Sequence, residues 1–571
     1  MQRYRHYLAT YLRPQRSRVA MLAVLLLASI GLQLVGPQIL RRFIDGARAG
    51  EPLETLVALA LVFLAFALVQ QAAAVGATYV GEDVGWAATN LVRADLALHC
   101  LRLDLSFHRS RTPGEMIERI DGDVTNLATF FSQLVIRVVG NVVLLAGVLV
   151  LLFREDWRLG AAFGVFALVA FVAIDRVRNV AVPHWTAARQ ASADLVGFVE
   201  ERLAGTEDIR ASGLKAHVMR RLDALVHERV AREWKGGFMG SIVGSTMWAV
   251  FTLAYVVAFV LGGYLYVAGT ITLGTVFLIF GYADLLQRPL QQITGQIEQL
   301  QRATASIARI DELLSMKSKL PDGKREPPPG ALEVTFDRVR FAYDEEVVLD
   351  GLSFRLAPGR VLGLLGRTGS GKTTISRLLF RFYDPQKGAV RLGGLDVREA
   401  RLRDLRDRIG VVTQDVQLFK ASVRDNLTLF DHTVPDERIL AALDQLGLTG
   451  WYRALPTGLD SEVSGLSAGE AQLLAFTRVL LRDPGLVILD EASSRLDPVT
   501  ERLIERAVDR LLAGRTGVVI AHRLSTVERV DEILILEHGR LLEHGPREAL
   551  AGDPASRFSE LRRAGLAEAL A

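Results

Sequence analysis

The chain has 571 residues, of which half are hydrophobic and only 7% are aromatic, and this length exceeds that of one domain. A single cysteine, Cys100, excludes an intramolecular disulfide framework and a cysteine-based metal site. The net charge of +3 is small and evenly spread, so we expect no nucleic acid partner.

Long apolar runs fill the first half of the chain and predict membrane-spanning helices, because about 20 apolar residues cross the hydrocarbon core. Six such runs lie at residues 19–36, 56–80, 134–153, 161–174, 242–267 and 273–286. The sequence therefore predicts an integral, multi-pass membrane protein that has the lipid bilayer as a partner.

Basic residues indicate the orientation of these spans, since loops rich in Lys and Arg stay on the cytoplasmic side. Five arginines precede the first run, and Lys and Arg are abundant in residues 81–130 and 175–238. We therefore expect cytoplasmic N- and C-termini, three short outer loops, and two long inner connections that continue as helices. The composition, rich in Ala, Arg and Leu and poor in Lys, favours a bacterial cell inner membrane.

The composition changes after the last run. The stretch "MKSKLPDGKREPPPGAL" at Met316–Leu332 has the Pro, Gly and charge content of an exposed connector. Beyond it, short Val, Ile and Leu strands alternate with helical patterns, which predicts an α/β domain with a mainly parallel sheet. We therefore expect an all-α, six-helix transmembrane domain at 1–315, a linker at 316–332 and an α/β domain at 333–571.

A phosphate-binding loop is predicted at "GRTGSGKT", which follows the apolar strand Val361–Leu365 and opens a helix. It fits the P-loop (Walker A) pattern G-x-x-x-x-G-K followed by Ser or Thr, in which backbone N–H groups face a phosphate. Lys372 would reach the β and γ phosphates, and Thr373 would hold Mg²⁺. The alternative is a glycine turn before a helix. The predicted nucleotide-binding residues are Gly366, Arg367, Thr368, Gly369, Ser370, Gly371, Lys372, Thr373 and Thr374, with ATP and Mg²⁺ as cofactors.

Polar side chains follow three further apolar strands. These are Ile409–Thr413 with Gln414, Leu486–Leu489 with Asp490 and Glu491, and Val518–Ala521 with His522. In open parallel sheets, ligands bind in the crevice at the carboxyl ends of the strands. Asp490 followed by Glu491 fits a magnesium ligand beside a carboxylate that orients the attacking water. The alternative for each residue is an ordinary polar strand end.

The stretch "GLSAGEAQLLAF" predicts the start of an amphipathic helix. Ser467 and Glu470 have the spacing of a capping box, in which each side chain satisfies a backbone N–H of the other residue. A helix N-terminus with free N–H groups is also an anion site, and Gly469 permits a close approach. The two interpretations are compatible.

In chain order, Tyr343, the phosphate loop, Gln414, "LSAGE", "LVILDE", "SSRLD" and "IAHRLST" resemble the ATP-binding cassette (ABC) family. With six spans ahead of them, the chain looks like a type IV ABC exporter half-transporter, and its α/β domain like the family's nucleotide-binding domain. The resemblance covers nearly the whole chain. Residues 107–123 and 200–210 match the family's inner connections, which would carry the coupling helices.

The resemblance implies roles for individual residues. Tyr343 would stack on adenine, and Gln414 would sense Mg²⁺ and the attacking water as a metal-site residue. His522 would contact the γ-phosphate, and Glu491 would be the catalytic carboxylate. Asp497 would belong to a loop that communicates between paired nucleotide-binding domains.

The resemblance also implies that the "LSAGE" segment receives the γ-phosphate of ATP held by a second half-transporter. The nucleotide-binding residues here would be Ser467, Ala468, Gly469 and Glu470. The family's LSGGQ has Gly and Gln where this chain has Ala468 and Glu470, and a carboxylate near an incoming phosphate is electrostatically unfavourable. A heterodimer with one degenerate site and a homodimer with two weakened sites both remain open.

The leading hypothesis for function is ATP-driven export by alternating access. An ATP-gated channel, a regulatory membrane protein and an importer with the exporter fold are the alternatives. The substrate class stays open among lipids, drug-like amphipathic small molecules and peptides. Charged or polar residues at membrane depth are candidates for contacting it, namely Arg137, Asn141, Tyr282 and Asp284.

Overall fold

The computed structural model describes residues 10–133, 138–413, 416–463, 466–490, 498–521 and 524–564. The chain divides into two compact units. The first comprises Met1–Arg102 and Arg111–Met316, and the second comprises Leu103–Ser110 and Lys317–Ala571. The second unit thus includes a short segment that lies far from the rest of it in sequence.

The first part of the chain is helical. Its helices are α1 (Arg16–Arg48), α2 (Leu53–Arg102), α3 (Leu105–Ser110), α4 (Pro113–Ile117), α5 (Asp123–Gln133), α6 (Gly140–Glu155), α7 (Trp157–Ala204), α8 (Thr206–Ala211), α9 (Lys215–Val267) and α10 (Leu273–Ser315). A 3-10 turn at Arg13–Gln15 precedes α1, and a π-helical turn at Glu118–Gly122 joins α4 to α5. Of these helices, α3 belongs to the second unit.

Four helical stretches of the described chain are long and apolar enough to cross a membrane. They are Thr10–Arg48, Leu53–Arg102, Trp157–Ala204 and Lys215–Val267. These stretches contain the first, second, fourth and fifth predicted spans. The third predicted span begins at residues outside the described part, and the sixth lies in α10, where Asp284 interrupts the apolar run.

The three predicted outer loops correspond to short connections between long helices. Helices end at Arg48, Glu155 and Val267, and the next ones begin at Leu53, Trp157 and Leu273. The predicted inner connections are also helical, since α2, α7 and α9 each continue far beyond their apolar runs. Short helices α3, α4 and α8 lie where the family resemblance implied coupling helices.

The helices of the first unit pack α1 against α2 and α7 against α9, while α10 contacts α1, α5, α6 and α9. A shared core of buried side chains includes Val148, Leu152 and Phe163. Other large apolar side chains point outward, among them Leu61 and Leu68 of α2. An apolar exterior suits helices surrounded by lipid, whose backbone groups are satisfied internally.

The remainder of the chain alternates strands and helices. The strands are β1 (Val334–Tyr343), β2 (Glu346–Leu356), β3 (Val361–Leu365), β4 (Lys387–Leu392), β5 (Leu395–Asp396), β6 (Ile409–Val412), β7 (Leu486–Asp490), β8 (Thr516–Ile520), β9 (Glu532–Glu537) and β10 (Arg540–Pro546). The helices are α11 (Lys372–Leu379), α12 (Leu402–Asp407), α13 (Val423–Thr428), α14 (Asp436–Gln445), α15 (Thr449–Arg453), α16 (Ala468–Arg482), α17 (Pro498–Leu512), α18 (Leu524–Val527), α19 (Arg547–Gly552) and α20 (Arg557–Ala564).

The strands form two sheets. The larger has the order β10-β9-β3-β8-β7-β6, in which β10 is antiparallel and the other pairs are parallel. This is the mainly parallel sheet that the sequence predicts. The smaller sheet, β2-β1-β4-β5, is antiparallel and was not predicted.

The parallel sheet is buried on both faces, which explains its continuous apolar strands. In β7, Leu486 and Ile488 belong to one hydrophobic cluster, and Val487 and Leu489 belong to another. The first cluster includes residues of α11, and the second includes residues of α16. The helix after the phosphate loop and the helix that begins at the "LSAGE" segment therefore pack in different cores.

The predicted linker differs from an exposed connector at Arg325 and at Leu332, which is fully buried in a hydrophobic cluster. Arg325 forms a β-bridge with Ala400, and the backbone N–H of Arg401 donates to the Arg325 carbonyl at 2.8 Å. A Cβ at Gly323 would clash with the Glu399 carbonyl oxygen at 2.2 Å. Backbone pairing, which composition does not reveal, holds this part of the linker against the α/β fold.

Candidate nucleotide-binding site

The predicted phosphate loop connects β3, in the middle of the larger sheet, to α11. Gly366 has φ of +150° and Gly371 has φ of +106°, in the region that favours glycine. A Cβ at Gly366 would lie only 2.4 Å from the Leu536 carbonyl oxygen. The tight turn and the close packing of its backbone both require glycine here. Helix α11 begins at Lys372.

The surroundings of Lys372 and Ser370 test whether this loop fits a phosphate. The buried Lys372 Nζ donates to the Gly366 carbonyl at 2.6 Å and to the Arg367 carbonyl at 3.0 Å. Within the described residues, Ser370 Oγ is buried and has no hydrogen-bond partner. A buried hydroxyl without a partner is costly, so it marks a place where a ligand oxygen is expected. A cavity of about 170 Å³ adjoins residues 366–370 of the loop.

Thr373 and Asp490 are the described candidates for holding Mg²⁺. The Thr373 side chain is exposed in the first turn of α11, and Asp490 is the last residue of β7. Asp490 is in register with Ile520 of β8, which is in register with Leu364 of β3. Two strand spacings therefore separate Asp490 from Leu364, or about 10 Å. Hydroxyl and carboxylate oxygens are ligands that Mg²⁺ accepts, so this donor set fits the ion.

Four predicted site residues lie outside the described residues, namely Gln414, Glu491, Asp497 and His522. The strands that lead to three of them are described. β6, β7 and β8 run parallel to β3 and end at the same edge of the sheet as the phosphate loop. The predicted convergence of strand ends is thus confirmed, while the roles of the four residues stay predictions.

Tyr343 ends β1 and is bound to α11. Its hydroxyl accepts a hydrogen bond from Arg377 Nη1 at 3.0 Å and lies 3.3 Å from Thr374 Oγ1. Phe341 and Tyr383 meet its ring in edge arrangements, with centroids 4.8 Å and 5.3 Å away. A cavity of about 450 Å³ borders this aromatic cluster. An aromatic ring held beside the phosphate-loop helix suits stacking on a base.

The "LSAGE" segment forms the predicted capping box. The Ser467 N–H donates to Glu470 Oε2 at 2.8 Å, and the Glu470 N–H donates to Ser467 Oγ at 3.3 Å. Gly469 is buried in the first turn of α16, and Ala468 is exposed. The helix N-terminus needed for an anion site is present, with the Glu470 carboxylate bound to it.

Arg478 of α16 connects this helix to the segment that follows Gln414, and the sequence interpretation missed it. Its Nη1 donates to the Gln417 carbonyl at 2.9 Å, and its Nη2 donates to Asn426 Oδ1 at 2.9 Å. Burial lowers the pKa of Arg478. The available signal was a charged residue inside the apolar run "LLAFTRVLL".

The candidate substrate residues differ in their surroundings. Tyr282 is fully buried, and its hydroxyl accepts from Gln38 at 2.9 Å and donates to the Leu34 carbonyl at 3.1 Å, which favours a packing role. Asn141 donates to Gln292 at 2.8 Å. Asp284 is exposed on α10 and accepts from the Tyr255 hydroxyl at 3.2 Å. Arg137 lies outside the described residues.

Comparison with known families agrees with this architecture. The ABC transporter transmembrane region matches residues 19–290, and the ABC transporter family matches residues 349–494. The chain is 31% identical over 563 residues to an uncharacterized ABC transporter ATP-binding protein, YknV, of Bacillus subtilis, covering 95% of this chain and 91% of the relative. This chain therefore belongs to the ABC transporter family.

Two further similarities concern exporters. An ATP-dependent lipid A-core flippase of Pectobacterium atrosepticum is 29% identical over 561 residues, covering 96% of each chain. A solved structure of a bacterial Atm1-family ABC exporter with ATP bound is 26% identical and superimposes with a TM-score of 0.77 over 97% of each chain. The chain is an integral membrane half-transporter that binds ATP and couples ATP hydrolysis to export. The predicted family, fold class and activity are confirmed.

Proposed function

We propose that this chain pairs with a second half-transporter and exports a lipid or drug-like amphipathic molecule across a bacterial inner membrane. One observation carries the pairing: the phosphate-loop helix α11 and the signature helix α16 pack in different hydrophobic cores of one chain. In this proposal, each chain contributes two separate half-sites. A complete ATP site then consists of the phosphate loop of one protomer and the "LSAGE" helix end of its partner.

Within this site, each residue at the sheet edge has a separate role in ATP hydrolysis. Lys372 and the backbone N–H groups of the loop bind the phosphates. Thr373, Asp490 and Gln414 would hold Mg²⁺, which would neutralise charge on the phosphates when bound. Glu491 orients the attacking water and accepts its proton. The residues that complete the arrangement are His522 at the γ-phosphate, Asp497 in the communicating loop and Tyr343 at the adenine.

Closure of the paired nucleotide-binding domains on ATP would move the short helices α3 and α8, and through them the spans, between inward and outward openings. Similarity to a lipid A-core flippase supports a lipid or another amphipathic molecule as the substrate. Asp284 is a candidate for contacting that substrate, because it is an exposed carboxylate on a helix of the transmembrane unit.

The test is ATP hydrolysis by the purified full chain in lipid, with its oligomeric mass recorded, together with flipping of a fluorescent phospholipid in vesicles. We expect hydrolysis that is lost in Glu491→Gln and Lys372→Ala. Glu437→Gln, which changes an exposed carboxylate of α14, is the matched control and should hydrolyse ATP at the wild-type rate. Normal hydrolysis by Glu491→Gln in a pure homodimer contradicts the assignment of Glu491.

The same preparation decides the composition of the dimer. Strong Glu491-dependent hydrolysis by a homodimer means that the "LSAGE" half-site works. A folded chain that binds ATP without hydrolysing it requires a partner with a different signature, which is the heterodimer arrangement. ATP-dependent ion conductance without lipid flipping would favour the channel alternative and contradict export of this lipid class.

A further inference from the structure

Arg109 of α3 lies over the ring of Tyr343. The guanidinium carbon is 4.4 Å from the ring centroid, well inside the range of a cation–π interaction. Arg109 is exposed, and both residues line the cavity of about 450 Å³ in the second unit. The segment Leu103–Ser110 therefore contributes a cation to the pocket beside the proposed adenine-stacking ring.

Asp104 anchors this segment. Its Oδ2 accepts from the Lys319 N–H at 2.7 Å, and its Oδ1 accepts from the Ser106 N–H at 3.0 Å. Burial alone would raise the pKa of Asp104, but hydrogen bonds from Ser106, Lys319 and Phe107 outweigh burial and lower the pKa. The anchor is thus an ionised carboxylate at neutral pH, and it keeps the start of α3 beside Tyr343.

The ring of Tyr343 has little freedom to move away from Arg109. Its hydroxyl is bound to Arg377 and lies beside Thr374, and Phe341 and Tyr383 pack against the ring. Arg109, in contrast, is a long exposed side chain with several rotatable bonds. When a third group needs the same ring face, the arginine side chain is the part that can yield.

We propose that Arg109 and the adenine base of ATP compete for the ring of Tyr343, so that base binding detaches Arg109 from the ring. This inference rests on the proposed role of Tyr343. A planar base stacks at about 3.5 Å from each neighbour, so inserting it between ring and guanidinium requires about 7 Å. The observed 4.4 Å is too short for both.

Competition has a reciprocal consequence. If the Arg109–Tyr343 contact lowers the affinity for the base, then the bound base lowers the equilibrium constant of that contact by the same factor. This follows because coupling between two binding equilibria is symmetric. The position of Arg109 in the segment Leu103–Ser110 therefore depends on whether a base occupies the pocket. An exposed cation–π contact corresponds to an effect of about two- to fivefold on ATP affinity.

The test is equilibrium binding of a non-hydrolysable ATP analogue to the full chain in lipid nanodiscs. We expect Arg109→Gln to bind about two- to fivefold more tightly than wild type, since glutamine keeps a polar side chain but carries no charge. Arg109→Lys should stay near wild type, because an ammonium group also binds the ring face. Arg111→Gln, at a neighbouring arginine that pairs with Glu115, is the matched control and should leave affinity unchanged.

Two further measurements separate competition from a general charge effect. Inorganic tripolyphosphate has no base, so its affinity should be the same in wild type and Arg109→Gln. In a Tyr343→Leu background, Arg109→Gln should no longer change ATP affinity. Weaker or unchanged ATP binding by Arg109→Gln, an equal gain for tripolyphosphate, or a gain that persists without Tyr343 would each overturn the proposal.

Failure of the proposed function looks different. A wild-type chain that binds no ATP, or a Lys372→Ala chain with unchanged affinity, would contradict the nucleotide site itself and this inference with it. ATP binding that depends on Lys372 but is insensitive to Arg109 would overturn only the competition.

Discussion

Glu470 binds the backbone of Ser467 through one carboxylate oxygen, while Ser467 binds the backbone of Glu470 through its hydroxyl, over 2.8 Å and 3.3 Å. The carboxylate therefore occupies a helix N-terminus, where partial positive charge attracts anions. The proposed incoming γ-phosphate would meet a negative charge at this helix end. The capping box stabilises the helix, and we expect its carboxylate to weaken the proposed half-site.

Replacing Glu470 with glutamine should raise ATP hydrolysis by a homodimer about fivefold. Glutamine can keep the capping box, while the charge repulsion it removes is ~1 kcal/mol for two charges about 4 Å apart even in water. The measurement is the hydrolysis rate against ATP concentration in lipid. Glu470→Ala is the comparison, since it loses both charge and cap and should melt at a lower temperature. A slower Glu470→Gln enzyme would show that the carboxylate aids hydrolysis.

Replacing Gly366 with alanine should abolish ATP binding. The residue has φ of +150°, and a Cβ would lie 2.4 Å from the Leu536 carbonyl oxygen, so the loop must change shape. Gly197→Ala in α7 is the matched control, because nothing lies within 4 Å of a Cβ there. Calorimetric titration measures the ATP affinity of both variants and of wild type. Unchanged affinity in Gly366→Ala would refute a tight loop conformation.

Replacing Arg478 with lysine should destabilise the chain by about 2 kcal/mol, because hydrogen bonds from a partly buried charged group are lost. The lysine ammonium cannot reach Gln417 and Asn426 together as the guanidinium does. Arg482→Lys, at an arginine whose pair with Asp407 is half exposed, should change stability by less than about 0.5 kcal/mol. Thermal unfolding followed by tryptophan fluorescence compares the two. Equal melting temperatures for Arg478→Lys and Arg482→Lys would show that the Arg478 hydrogen bonds do not stabilise the chain.

The contribution of Asp104 to stability should be the same at pH 7 and pH 5. Its folded pKa lies below the ordinary value, so its stabilising effect is fully present above the unfolded pKa, about 3.9, and is lost as pH falls through the folded pKa. The measurement is the difference in melting temperature between wild type and Asp104→Asn. A difference that disappears between pH 7 and pH 5 would mean that the pKa is raised instead.

The sequence predicts features whose signals are local. The predicted phosphate loop is a contiguous pattern after an apolar strand, and the capping box is a four-residue spacing, so the strand-loop-helix and the capping box were predicted correctly. The parallel sheet was also predictable, because strands buried on both faces are continuously apolar. The turns between long helices follow from breaks in the apolar runs.

Features that depend on contacts distant in sequence were not predictable from one chain. Arg109 and Tyr343 are far apart along the chain, and no local pattern marks their contact. The antiparallel sheet joins β4 to β1 through pairs such as Phe336 with Val390, which composition does not specify. Arg478 was missed because arginine on an amphipathic helix is ordinarily a solvated residue.

The register of the parallel ladder decides where the chain can tolerate a change in length. Asp490 is opposite Ile520, and Ile520 is opposite Leu364. Deleting one residue inside β7 would shift Asp490 by about 3.3 Å and turn its side chain to the other face of the sheet. The short turns between α1 and α2 and between α9 and α10 are not paired with a β-strand in the described structure. Insertions of foreign sequence, such as an epitope or a fluorescent reporter, therefore belong in those turns and not near the sheet.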